Sequence, residues 1–141
     1  MAESPRSLVK VVVPVYRELT SDEEISLRNN VRVLAAWPFV VLHPEGVTPP
    51  ACCRELGLET LAVSGEWLGR RNGIAGYNRM MLSEAFYALF PDVEYILICH
   101  TDAWIFRDEL EEWCRGGYDC VAAPWLRRPL YELPLVKQYM Q

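Results

Sequence analysis

The groups able to do chemistry in this sequence fall where its apolar runs stop. Asp102 follows the run Tyr95, Ile96, Leu97, Ile98, Cys99 after one short polar step, His100 and Thr101. A carboxylate at the end of a buried strand is held by rigid structure, and a hard cation such as Mg²⁺ or Mn²⁺ prefers carboxylate oxygen. An ion at Asp102 would bridge the protein to a diphosphate. The same side chain can instead cap a turn by accepting from nearby backbone N–H groups, and the pattern supports both readings equally. His100 and His43 are candidate ligands or bases, against the commoner use of an isolated histidine as a hydrogen-bonded structural residue. Tyr16 offers a face for stacking on a base, or ordinary packing at a strand end. Arg70 and Arg71 could clamp a phosphate bidentately, although a solvated loop accounts for them more simply. Residues 73–78 open a helix, where anions are favoured, but the spacing there is neither GxGxxG nor a P-loop. No Ser/His/Asp set, His-x₃-His pair or nucleophile elbow occurs. A small hydrolase or phosphatase therefore has no visible activated nucleophile.

The elements that must position these groups alternate in type. Residues 8–15 form a near-continuous β-branched run, the pattern of a strand buried on both faces. Further strands are expected over 39–42, 59–63, 94–99 and 119–123. Ser21 with Glu24 makes a capping box that opens a helix with Leu27, Val31, Leu34 and Ala35 on one face, stopping before Pro38. Pro49 and Pro50 start a short helix that ends at Gly57. Ile74, Tyr77, Met81, Ala85 and Leu89 recur at helical spacing and predict one long helix over 74–90. Asp108 caps another helix, which Gly116 and Gly117 end. Strand–helix alternation predicts an α/β fold with a parallel or mostly parallel sheet. Ligands of such sheets bind outside the carboxyl ends of the strands, at a switch point. That rule selects Pro14, Tyr16, Arg17 and Glu18, then His43 and Glu45, the stretch 70–73, and His100, Thr101 and Asp102. Trp104 and Phe106 are expected to face the core beneath the site, and Trp125 to line a pocket or pack a corner.

Composition narrows the classes further. The 141 residues, half of them hydrophobic and 23% charged, suit one folded domain with one core. Net charge is −5, with 14 basic and 19 acidic residues and no basic run, so a nucleic-acid partner is not expected. Five cysteines, two of them adjacent and none in a CxxC, indicate neither a disulfide framework nor a zinc site. Cys99 and Cys120 lie in apolar runs and are expected to be buried, which fits a reducing cytoplasm. No apolar run reaches transmembrane length. Residues 1–7 are expected to be a flexible N-terminus and 126–141 an irregular tail.

Four segments together carry a resemblance. They are Val-Val-Val-Pro-Val-Tyr-Arg-Glu at 11–18, Gly-Tyr-Asn-Arg-Met-Met-Leu at 76–82, the run from Tyr95 through His100, Thr101 and Asp102 to Phe106, and Gly-Tyr-Asp-Cys-Val-Ala-Ala-Pro-Trp at 117–125. In this order and spacing the chain resembles a bacterial family of unknown function that is similar to GT-A glycosyltransferases. The resemblance implies a Rossmann-like, mostly parallel sheet with flanking helices, of the GT-A nucleotide-diphospho-sugar transferase type. It implies that Pro14, Tyr16 and Glu18 meet the nucleotide base and that Gly76, Tyr77 and Asn78 lie near the nucleotide sugar. His100 joins them beside Asp102, which takes the place of the first acid of an Asp-x-Asp element that holds Mn²⁺ or Mg²⁺ and the diphosphate. Trp104 stands where the second acid would be. Members of the family continue past the Ala-Pro-Trp segment into an acceptor-side region, so the chain is expected to be the donor-binding part, and no residue in it matches the catalytic base. The expected partner is a nucleoside diphosphate sugar. The competing reading is a non-catalytic module of the same fold that binds or self-associates through exposed apolar surface.

Overall fold

The computed structural model describes residues 7–123. Four strands form one sheet: β1 (Ser7–Pro14), β2 (Phe39–Pro44), β3 (Glu59–Val63) and β4 (Val93–Ile98). Their order across the sheet is β3-β2-β1-β4, and each neighbouring pair is parallel. The fold is thus α/β with an all-parallel, Rossmann-like sheet flanked by helices. The helices are α1 (Ser21–Val33), α2 (Ala51–Glu55), α3 (Gly73–Met81), α4 (Glu84–Tyr87) and α5 (Leu110–Arg115).

The valines of β1 explain why it lies inside. Val11, Val13 and Val15 face one layer with Leu27, Leu34, Cys52, Cys53 and Cys99. Val12 faces the other with Leu42, Leu68, Met80, Phe86 and Phe90. Period-two alternation thus feeds two apolar layers from one continuous run. Each fully buried valine or leucine contributes roughly 1.5–3 kcal/mol.

Several details differ from the sequence expectation. The capping box of α1 is Thr20 with Glu23, one residue earlier than Ser21 with Glu24. Glu23 bonds the Thr20 backbone N–H at 2.8 Å, and Thr20 Oγ1 accepts from the Glu23 N–H at 3.3 Å. Two overlapping Ser/Thr-x-x-Glu frames exist in the sequence, and the frame whose glutamate also pairs with Arg17 is the one adopted. The long helix over 74–90 is two helices, α3 and α4. Ser83 is extended between them, at φ −97° and ψ 126°, and the break turns the second helix relative to the first. Gly76, Met80, Phe86 and Phe90 are buried, while Ile74 is 80% exposed.

Residues 119–123 form no strand. All five are exposed, they share no ladder with β4, and β4 is an edge of the sheet among the described residues. Cys120 is accordingly exposed, whereas Cys52, Cys53 and Cys99 are buried, and all five cysteines are free. Trp104 and Phe106 point outward rather than to the core. Ser7 already belongs to β1; the rest of the expected flexible N-terminus, Trp125 and the expected tail 126–141 lie outside the described residues. Among the described residues no helix is long and apolar enough to cross a membrane.

Candidate functional site

From β1 the chain steps to β2 and β3 on one side, then returns to place β4 on the other side of β1. The strand order reverses at β1, and a crevice opens at this switch point between the carboxyl ends of β1 and β4. The register continues past the strands: the Cys99 N–H donates to Val12 O at 2.9 Å and the Val15 N–H to Leu42 O at 2.8 Å. This sets the end of β1 beside the segment that begins at His100. A cavity of about 130 Å³ lies there, lined by Pro14, Tyr16 and Arg17 at the end of β1, by Glu23 of α1, and by His100, Thr101 and Asp102 after β4. It adjoins a second opening where Arg17, Asp22, Glu23, Asp102 and Trp104 meet.

Glu23 ties the two walls together. Its carboxylate accepts from Arg17 Nη1 and Nη2 at 2.8 Å each, and Thr101 Oγ1 donates to Oε1 at 3.2 Å. The Arg17 hydrogen bond, with help from the Thr20 N–H, holds the Glu23 carboxyl down at about 2. The carboxylate in turn raises the already high pKa of Arg17. The guanidinium carbon also lies 5.9 Å from the Tyr16 ring centroid, so the loop after β1 is braced from both sides.

The β4 wall is held from beneath by α1. Buried Asn30 donates through Nδ2 to Ala103 O at 2.7 Å and accepts the Ile105 N–H at 2.9 Å. Ser26 Oγ donates to Ala103 O as well, and Asn29 Nδ2 donates to Ile105 O at 2.9 Å. A turn closed by the Ala103 N–H on His100 O, at 3.1 Å, then carries Thr101 and Asp102 into the crevice. Asp102 is exposed. Arg17, Glu23, Ser26, Asn29 and Asn30 were not singled out for these contacts by the sequence reading. Their legible trace is an Asn on the apolar face of a helix, between Leu27 and Leu34.

Of the expected site residues, Pro14, Tyr16, His100 and Asp102 line the cavity. Tyr77 reaches its rim through His100, with the Tyr77 hydroxyl 3.0 Å from Nε2. Glu18, Gly76 and Asn78 do not line it. Glu18 and Asn78 are exposed; Gly76 is buried, and a Cβ added there would lie 2.4 Å from Glu66 O. His43 sits at the end of β2, with Nδ1 3.1 Å from Pro44 O, away from the cavity. Arg70 and Arg71 are exposed ahead of α3.

The lining carries Glu23, Asp102 and, in the adjoining opening, Asp22, against one guanidinium already engaged by Glu23. Such a site repels a free diphosphate and attracts a cation. Among the described residues no group of three or more His, Cys, Asp or Glu side chains is placed to hold a metal.

The fold is that of a parallel, Rossmann-like α/β protein with a crevice at its switch point. A family model described as "Protein of unknown function (DUF5672)" matches residues 58–140, more than half of the sequence, and the chain belongs to that family. The match takes in α3, β4 and the turn to Asp102 but not the β1 wall with Tyr16, Arg17 and Glu23. No curated protein and no solved structure matches the chain.

Proposed function

We propose that this chain is the nucleotide-sugar-binding part of a glycosyltransferase-like protein of the GT-A type. The observation that supports it best is the meeting of Tyr16 from the β1 end and Asp102 from the β4 end on one crevice at the switch point. In this reading Tyr16, with Pro14 beneath it, receives the base. Asp102 holds a divalent cation, which when bound supplies positive charge to a diphosphate leaving group. Arg17 is kept from pairing freely with phosphate by its bidentate bond to Glu23, so its part is to brace the Tyr16 loop. His100 offers a hydrogen bond at the rim. No base is assigned to the chain.

Calorimetric titration with UDP and with GDP, with and without Mn²⁺, tests this reading on the wild type and on Asp102→Ala. Metal-dependent binding that Asp102→Ala removes is the expected result. A folded protein that binds neither nucleotide sinks it. The alternative is then a non-catalytic association module, favoured by the exposed Phe106, Trp113 and Tyr118 around α5.

A further inference from the structure

Tyr77 and His100 come from opposite sides of the crevice wall. Tyr77 stands on α3, with its ring half-buried against the layer that holds Met80 and Phe86. His100 follows β4 and lines the cavity. The rings lie 5.5 Å apart, tilted by 53°, and the hydroxyl meets Nε2 at 3.0 Å. Among the described residues Nδ1 of His100 has no protein hydrogen-bond partner, although the ring is exposed to the crevice.

We infer that Tyr77 is a positioning residue that fixes His100 in the tautomer protonated at Nδ1, so that a neutral imidazole presents an N–H donor to a ligand oxygen in the crevice. A neutral imidazole has one donor and one acceptor nitrogen, and the partner of one decides the state of the other. A phenol is the better donor of the pair and an imidazole nitrogen the better acceptor. Burial pushes the Tyr77 hydroxyl pKa up, which keeps that proton in place to donate. With Nε2 accepting, the ring proton resides on Nδ1. In a crevice lined by Asp102 and Glu23, a donor that carries no fixed charge can meet a phosphate or sugar oxygen without binding the carboxylates as a second cation would. The ligand role rests on the nucleotide reading above; the tautomer does not.

Two histidines make the test simple, because His43 is an internal control. Long-range ¹H–¹⁵N correlation spectra of the ¹⁵N-labelled full chain at neutral pH assign the protonated nitrogen of each ring. The expected result is His100 protonated at Nδ1, with Tyr77→Phe shifting it toward Nε2 while His43 stays unchanged. A wild-type His100 protonated at Nε2, or an unchanged tautomer in Tyr77→Phe, overturns the inference. Adding UDP with Mg²⁺ is expected to move the His100 Nδ1 resonance, and Tyr77→Phe to weaken UDP roughly tenfold. UDP that binds without moving Nδ1 also overturns the inference. Absence of UDP binding sinks the nucleotide reading alone, and the tautomer spectra then decide this one.

Discussion

Arg17 and Glu23 form a two-bonded pair on the β1 side of the crevice, guanidinium fork to carboxylate, with both bonds at 2.8 Å. The same carboxylate caps α1 and receives Thr101 from the far wall. Helix start, β1 loop and β4 turn thus share one anion. Glu23→Gln keeps the shape but removes the charge. It is expected to weaken the hold on Arg17 and Thr101, and so to affect binding in the crevice more than it affects overall stability.

A pH prediction follows from the same pair. Glu23 falls from 4.5 to about 2 on folding, with the Arg17 hydrogen bond the main cause. A depressed carboxyl pKa stabilises the fold fully above the unfolded value and loses that contribution as pH falls through the folded one. The contribution is on the order of 1 kcal/mol, because the Arg17 side chain is 36% exposed and solvent screens the pair. Thermal melts of wild type and Glu23→Gln are expected to differ near neutral pH and to converge between about pH 4 and pH 2. A constant gap down to pH 2 would show that the charge is not what stabilises.

Asn30 is nearly fully buried and serves two backbone groups of the segment after Asp102, Ala103 O and the Ile105 N–H. Asn30→Ala leaves the Ile105 N–H without its partner, while Ala103 O retains Ser26. The expected loss is about 1–3 kcal/mol in urea denaturation. Ser26→Ala removes only one of the two bonds to Ala103 O and is expected to cost less. Equal losses in the two variants would place the weight elsewhere.

Gly76 was expected near a sugar, and its surroundings give it a packing role as well. A Cβ there would meet Glu66 O at 2.4 Å and Trp67 O at 3.1 Å, both backbone atoms. The loop ahead of α3 lies directly on this glycine. Gly76→Ala is expected to destabilise by roughly 1–3 kcal/mol despite the better helix propensity of alanine. A melting temperature equal to or above wild type would show that the loop yields without cost.

The four strands that form were legible because their residues leave little choice, whereas 119–123, also expected as a strand, forms none. Residues 59–63 were expected as a strand and are β3, and the valine run of β1 announces burial on both faces. The α3–α4 break was not legible. No glycine or proline marks Leu82 and Ser83, and Ile74, Tyr77, Met81, Ala85 and Leu89 do repeat at helical spacing. What decided the buried face was Gly76, which an apolar count cannot see, together with Phe86 and Phe90 after the turn. Pro14, Tyr16, His100 and Asp102 line the crevice, and they could be picked out because strand ends can be read from apolar runs. The Arg17–Glu23–Thr101 link and the Asn30 clamp join residues distant in sequence, and only the packing of α1 on the sheet brings them together.

Trp104 offers a way to ask what Asp102 is for. It stands two residues beyond Asp102, is 48% exposed, and lines the same opening as Asp102 and Glu23. Trp104 belongs to neither buried apolar layer, so Trp104→Asp is expected to fold. It would give the turn two carboxylates separated by one residue, and Mg²⁺ and Mn²⁺ gain affinity with each carboxylate that can reach them. If Asp102 supports a cation, Trp104→Asp is expected to tighten Mn²⁺ binding roughly tenfold or more in a titration followed by water relaxation. The double variant with Asp102→Ala is expected to lose that gain. A Trp104→Asp protein that binds Mn²⁺ no better than wild type would instead favour Asp102 as a turn-capping residue, with its carboxylate spent on the backbone and not on an ion.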